Sequence, residues 1–235
     1  MTTINEYFDE VYLLNLHRRS DRLLKTSNKM HRSDITFNHF GATDGSVMQR
    51  LWQSFSQQNK HFANPNYLGC AVSHLSIYAD AVSKGHSKIL IVEDDVCIHR
   101  DANEHFSDNI NKLGAWDLLY LGFIPLSDDQ SRWDYNVFDI IQPGIARAKN
   151  FWGLYGYGIS KELMQQTLEI YRQEFPMELD RYFVKYVQPK GNSYAIIPQI
   201  FAAADGDFSD NSGRIENGMM QRSIDTRFTK IENYI

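Results

Sequence analysis

The sequence predicts an α/β domain built on a mostly parallel sheet flanked by helices, and three observations predict it. Short aliphatic runs with no polar alternation recur, among them Val11-Tyr12-Leu13-Leu14, Ile89-Leu90-Ile91-Val92 and Leu118-Leu119-Tyr120-Leu121; such runs fit strands buried on both faces. Stretches of helical periodicity alternate with them, the pattern of strand–helix–strand units. The chain has 235 residues, 43% apolar and 23% charged, enough for one large core and one domain or a loose two.

Taken in order, residues 11–16 form a strand that ends in the charged stretch 17–22, and residues 23–32 continue as a helix capped by Ser20 or Asp21. Residues 35–40 read as a second strand entering the turn 41–45, and the polar stretch 47–66 as helix or loop. Residues 68–84 are the best helix, with Val72, Leu75, Ala79 and Val82 on one face and Gly85 as its C′ stop. Residues 88–92 make a strand buried on both faces, ending in Glu93-Asp94-Asp95. A helix over 102–113 and strands over 116–123, 137–141 and 153–159 follow. Ser160 caps a helix over 161–173 whose inner side is Leu163, Met164, Leu168 and Tyr171. Residues 176–187 form another helix with Pro176 in its first turn, and residues 194–201 a strand that Pro198 confines to an edge. The tail beyond Ala202 is polar.

Composition excludes several classes. The net charge is −5, so no stable nucleic-acid partner is expected. Two cysteines, Cys70 and Cys97, make no disulfide framework and lack zinc-site spacing, so both read as small buried residues. Residues 1–10 are polar and acidic, unlike a signal peptide, and no apolar run approaches the ~20 residues of a membrane span. The expectation is a cytoplasmic chain without a membrane span. Gly-rich phosphate loops, Gly-x-Ser-x-Gly and His-Glu-x-x-His are absent.

Ligands of open α/β sheets bind outside the carboxyl ends of the strands. Glu93-Asp94-Asp95 follows the four-aliphatic strand 88–92, and three adjacent carboxylates repel one another until a divalent cation relieves them. Oxygen ligands suit Mg²⁺ or Mn²⁺. Extended-chain alternation puts Glu93 and Asp95 on one side and Asp94 on the other. Arg18, Arg19 and Arg22 follow the first strand, where guanidinium forks match phosphate or simply start a solvated helix. Asp44 follows the second and suits a ribose, a base imide or plain turn chemistry. His74 sits on the long helix beside Leu75. Glu178 and Asp180 flank Leu179 late in the chain, Asp180 near the Leu179/Phe183 stripe.

The ordered set of motifs resembles glycosyltransferase family 25, which includes lipooligosaccharide and collagen hydroxylysine galactosyltransferases. It comprises Val11 to Leu16 with Arg18-Arg19-Ser20-Asp21-Arg22, Ala42-Thr43-Asp44-Gly45 and Gly69-Cys70-Ala71-Val72-Ser73-His74. Ile91 to Val96, Trp116 to Gly122, Tyr157-Gly158-Ile159-Ser160, Pro198 and Ser209-Asp210 complete it. Departures are Ser20 where the family has Pro, Val72 where it has Leu, and an open register at Met177 to Asp180. The resemblance implies a single GT-A type, Rossmann-like domain over residues 1–235. It implies a UDP-hexose donor, chiefly UDP-galactose, a Mn²⁺ or Mg²⁺ cofactor, inversion at the anomeric carbon, and a saccharide or hydroxylated acceptor, as in lipopolysaccharide biosynthesis. On this reading Glu93 and Asp95 hold the metal. Asn15, Arg19, Arg22, Asp44, His74 and Asp94 bind the nucleotide-sugar, with Asn15 and Asp44 on the uridine. Asp180 is the base, with Glu178 as the alternative. Two rivals stand beside it: a catalytically silent nucleotide-sugar-binding protein on the same fold, and a Mg²⁺-binding receiver domain.

Overall fold

A computed structural model describes residues 1–58, 62, 64–127, 133–134, 138–206, 208–209, 214–215 and 217–235. Eight strands make the main sheet: β1 (Glu10–Asn15), β2 (Asn38–Gly41), β3 (Lys88–Glu93), β5 (Leu118–Pro125), β6 (Asp139–Gln142), β7 (Ile145–Arg147), β8 (Phe151–Ser160) and β9 (Ser193–Ile196), in the order β2-β1-β3-β8-β5-β9-β7-β6. Strands β2, β1 and β3 are parallel to one another, β5 is parallel to β9, and β8 runs antiparallel between β3 and β5. This is the expected GT-A type, Rossmann-like, mostly parallel α/β sheet, with β8 and β7 running against the other strands and making it mixed. Smaller pairs join β4 (Val96–Ile98) to β10 (Phe201–Ala203) and β11 (Phe208–Ser209) to β12 (Arg214–Ile215).

The central strands are buried on both faces because every second residue feeds a different core. Tyr12, Leu14, Ile89, Ile91, Leu118 and Tyr120 face one side, and Val11, Leu13, Leu90, Val92, Leu119 and Leu121 face the other. The first side is covered by α3 (Gln49–Gln58), α4 (Pro65–Ser83), α6 (Lys161–Gln173) and α7 (Leu179–Tyr182). The second is covered by α1 (Ile4–Tyr7), α2 (Ser20–Arg32), α5 (Ala102–Ile110) and α8 (Met219–Ser223). Among the described residues, no helix is long and apolar enough to cross a membrane.

Local signals place most of these elements. Ser160 Oγ accepts the Leu163 N–H at 3.3 Å and starts α6. Gly85, at φ 81°, ends α4 as its C′ residue, with the His86 N–H on the Ala81 carbonyl at 3.0 Å. Other expectations are corrected. Neither Ser20 nor Asp21 caps α2: Arg19 is the N-cap and offers no side-chain bond, so the helix begins one turn early. On α4 the expected Leu75 is in the core and Val72 and Val82 pack against it, whereas Ala79 is exposed. A helix this enclosed buries more than one stripe, and Leu68, Ala71, Ile77 and Tyr78 are buried as well. The second strand shifts to Asn38–Gly41, and β7 went unread because three residues carry little pattern. Val137 lies outside the described residues, and β6 begins at Asp139. Pro176 precedes α7, whose helical path continues through a π turn, Phe183–Val187.

Strand β9 is interior, between β5 and β7. Pro198 falls after its last residue, Ile196, and so removes no ladder donor. The polar tail is tied down: Ile98 and Ile235 exchange backbone hydrogen bonds at 3.0 and 2.9 Å.

Candidate functional site

The register of the parallel strands gathers the site. Leu14 pairs with Glu93 and Asn15 with Gly41, so β1, β2 and β3 end side by side. Their carboxyl ends open into a cleft of about 600 Å³, counted out to its mouth. Asn15, Arg18, Arg22, Glu93, Asp94 and Asp95 line it from the strand ends and the start of α2. Thr43 and Gly45 line it from the loop after β2, and Asn66, Cys70 and Ser73 from α4.

Strand alternation stops at Glu93, because Asp94 and Asp95 turn the chain into β4. Glu93 and Asp95 both line the cleft, and so does Asp94, which extended geometry put on the other side. Glu93 reaches toward α4, while Asp94 and Asp95 both reach Arg22, at 3.0 and 3.2 Å. Asp94 is the anchor: Asn15 Nδ2 donates to its Oδ2 at 2.5 Å, and the Thr26 hydroxyl donates to its carbonyl at 2.6 Å. Asn15 is 1% exposed, yet its Oδ1 accepts no hydrogen bond. An orphan acceptor of that kind costs about 1–3 kcal/mol unless a ligand donates to it.

The charges do not balance. Burial pushes the Asp95 carboxyl up to about 7; Glu93 and Asp94 add to the rise and Arg22 opposes it. Burial also raises Asp94, against the pull of Arg22. Burial pushes Asp180, near the start of α7, up to about 6, and the charges of Glu178 and Glu93 add to it. Asp180 and Glu93 thus share one electrostatic environment. Oxygen donors holding surplus negative charge fit a hard divalent cation of the Mg²⁺ or Mn²⁺ type.

Behind Glu93 lies a buried relay. His74 is 0% exposed; its Nε2 meets Glu93 Oε1 at 3.1 Å and its Nδ1 meets the Tyr157 hydroxyl at 2.9 Å. The Tyr157 and Tyr78 hydroxyls are 2.5 Å apart. The Cys70 thiol donates to the same Glu93 oxygen at 4.0 Å.

Of the residues singled out from sequence, Asn15, Arg22, Glu93, Asp94 and Asp95 meet in the cleft. His74 stands behind it. Arg18, rather than Arg19, is the arginine beside Arg22 on the wall; the Arg19 guanidinium lies against Asp21 at 3.2 Å. Arg18 also pairs with Asp44, which caps the turn Gly45–Met48 through the Ser46 N–H. The Asp180 Oδ1 accepts the Arg181 N–H at 2.7 Å, and Glu178 pairs with Arg181 at 3.4 Å. Cys70 is corrected from a buried filler to a wall residue. Asn66, Cys70 and Ser73 recur at spacings of four and three, the helical signal by which they were findable. Asp210 lies outside the described residues.

Gly69 fixes how close α4 comes to the loop after β2. A Cβ there would sit 2.8–2.9 Å from Gly45 N, Gly45 Cα and Thr43 O, all backbone atoms. Gly69→Ala should therefore displace the cleft wall. The overpacking costs about 1–3 kcal/mol, against roughly 1 kcal/mol of helix propensity gained. The expected outcome is a lower melting temperature together with weaker ligand binding, and a melting temperature above wild type would refute the close approach.

The sequence model of the family described as "Glycosyltransferase family 25 (LPS biosynthesis protein)" matches residues 8–183, the span that holds every cleft residue. The chain belongs to glycosyltransferase family 25. It is 25% identical over 185 residues to a "Glycosyltransferase 25 family member" of Aedes aegypti, covering 73% of this chain and 30% of that protein. It is 24% identical over 176 residues to "Procollagen galactosyltransferase 2" of Mus musculus, covering 68% and 27%. An "Inactive glycosyltransferase 25 family member 3" of Mus musculus is 27% identical over 129 residues, 49% of this chain and 22% of that one. The chain thus spans less than a third of the length of these relatives. The receiver alternative falls with the family and with the sheet: receiver sheets run 2-1-3-4-5, whereas here β8 separates β3 from β5.

Proposed function

We propose that this family 25 domain is a metal-dependent, inverting hexosyltransferase that moves galactose from UDP-galactose to a hydroxyl of a saccharide or hydroxylated acceptor. The observation that carries the proposal is the charge imbalance at the ends of β1 to β3, where Glu93, Asp94 and Asp95 face one buried guanidinium, Arg22. When bound at Glu93 and Asp95, Mn²⁺ or Mg²⁺ neutralises a diphosphate leaving group. Arg22 and Arg18 add charge for the same diphosphate, with Arg19 available once it leaves Asp21. The unpartnered Asn15 Oδ1 accepts from the donor, and Asp44 takes the ribose or base. Asp94 holds Asn15 and Arg22 in place, and His74 fixes the carboxylate of Glu93. Asp180 takes the proton of the acceptor hydroxyl. The acceptor oxygen bonds to the anomeric carbon from the face opposite the donor phosphate, and the bond to that phosphate breaks with its electron pair leaving on UDP.

A second reading, a silent nucleotide-sugar-binding domain, is favoured by the relatives named inactive. A thermal-shift series with UDP, UDP-galactose and UDP-glucose, with and without Mn²⁺, tests both. At a hundred times its dissociation constant a ligand adds about 2.7 kcal/mol, roughly 5–10 °C for a chain of this size. Stabilisation by UDP-galactose with Mn²⁺, followed by UDP release in its presence, supports the transferase. Stabilisation without turnover supports the silent reading. No shift with any uridine nucleotide refutes the donor.

A further inference from the structure

The wall of the cleft on α4 carries a donor set different in kind from the carboxylates of β3. Cys70 and His74 are four residues apart on one helix, the spacing that puts two side chains on one face and lets helical residue pairs chelate a metal. Glu93 reaches them from the end of β3. A sulfur, an imidazole nitrogen and a carboxylate oxygen from these three residues all lie within 4.8 Å of one another. The separations are 3.1 Å for His74 Nε2 to Glu93 Oε1 and 4.0 Å for Cys70 Sγ to the same oxygen. A tetrahedral zinc ion with ordinary Zn–N, Zn–O and Zn–S bonds needs its donors roughly 3.3–3.6 Å apart. The two observed distances bracket that range.

We propose that Cys70, His74 and Glu93 form a site for a thiophilic divalent cation, Zn²⁺ above all, whose fourth position opens into the cleft. Two features support it. Cys70 and Glu93 both line the cleft, so an ion has a path in. His74 is oriented from behind: with Nε2 on the metal, its Nδ1–H donates to the Tyr157 hydroxyl, which is in turn held by Tyr78. An outer partner of this kind is what fixes the tautomer of a metal-ligating histidine. Binding replaces the S–H bond with a Zn–S bond, and the thiol proton goes to the buffer. A thiolate, an imidazole and a carboxylate favour zinc over manganese or magnesium, which prefer oxygen.

The site shares Glu93 with the carboxylate set proposed for the transfer reaction. It follows, resting on that proposal, that Zn²⁺ inhibits Mn²⁺-supported transfer by claiming Glu93. The site itself is independent of that consequence and is tested without turnover.

The probe is Co²⁺ alone, added to the full metal-free chain and followed by absorption. One equivalent should give intense visible bands of a tetrahedral ion and a near-ultraviolet thiolate-to-cobalt band, both bleached by one equivalent of Zn²⁺. Cys70→Ser should abolish the thiolate band and weaken Zn²⁺ by more than the roughly 10–100-fold that loss of an outer partner costs. Tyr157→Phe, which keeps every ligand, should weaken it within that smaller range. Cys97→Ser should leave the spectrum intact, because Cys97 lies beside Lys29 on another face. X-ray absorption of the zinc-loaded native chain provides the check that needs no variant: a sulfur shell near ~2.3 Å is expected. Weak octahedral bands with no thiolate band overturn the proposal. So does a spectrum that survives Cys70→Ser but is lost on His105→Ala, which would put the ion at His99, Asp101 and His105. Failure of sugar transfer with Mn²⁺, with the cobalt spectrum present, would refute the function and leave this site standing.

Discussion

Asp180→Asn is expected to lower the turnover number by about 10²–10⁴-fold, the range a general base contributes, with a much smaller change in the Michaelis constant for the donor. Burial sets Asp180 at about 6, with repulsion from Glu178 and Glu93 adding to the rise and the Arg181 N–H opposing it. A base must be ionised to accept a proton, so the native turnover should fall on the acid side of about pH 6 and level off above it. That acid limb should vanish in Asp180→Asn along with most of the activity. Glu178→Gln is the discriminating partner, because Glu178 is engaged with Arg181 and its loss should cost far less. Steady-state rates from pH 5 to 8 on the three proteins decide the matter. A Glu178→Gln protein more damaged than Asp180→Asn would move the base by two residues.

The position of Asp180 shows what a sequence can and cannot disclose. Its chemistry was visible as a carboxylate beside an apolar stripe, but Glu93, whose charge acts on it, is eighty-seven residues away in the chain, and only the fold brings the two together. The strand ends were legible because aliphatic runs have one cheap explanation, burial on both faces, and the rule for open sheets then pointed to Asn15, Arg22 and Glu93 to Asp95. What failed was local geometry just beyond a strand. Alternation predicts side-chain direction only while the chain stays extended, and at Asp94 it turns. Which of Arg18 and Arg19 lines the cleft was illegible for the same reason, since the N-terminus of α2 set their directions. Cys70 was misjudged because cysteine is a common core residue, and nothing in its neighbours signalled that Glu93 faces it.

Asp95→Asn should do two opposite things: abolish transfer and stabilise the metal-free fold. Its folded-state pKa lies above the ordinary value of 3.8, at about 7. Between those limits the folded chain keeps a proton that the unfolded chain has released. Stability therefore falls as pH rises through that window, and the full penalty applies above it. Three pKa units correspond to about 4 kcal/mol. The Asp95 side chain is 34% exposed, so solvent screening cuts this to roughly 2 kcal/mol, or ~4–8 °C for a chain of this size. Asparagine removes the charge that burial and Glu93 oppose, while Arg22 keeps its partner Asp94 at 3.0 Å. The gain should thus be nearly full at pH 8, shrink steadily below pH 7, and vanish only below about pH 3, where both states are protonated. In activity the same change should cost on the order of 100-fold or more, because a bound divalent ion supplies several kcal/mol to a developing diphosphate charge. Mn²⁺ should raise the melting temperature of the wild type and leave that of the variant almost unmoved. A variant less stable than wild type at pH 8 would mean that the bond to Arg22 outweighs the repulsion, and that the cleft is electrostatically content without a cation. The predicted pairing of greater stability with lost activity is the signature of a site whose strain is kept because a ligand relieves it.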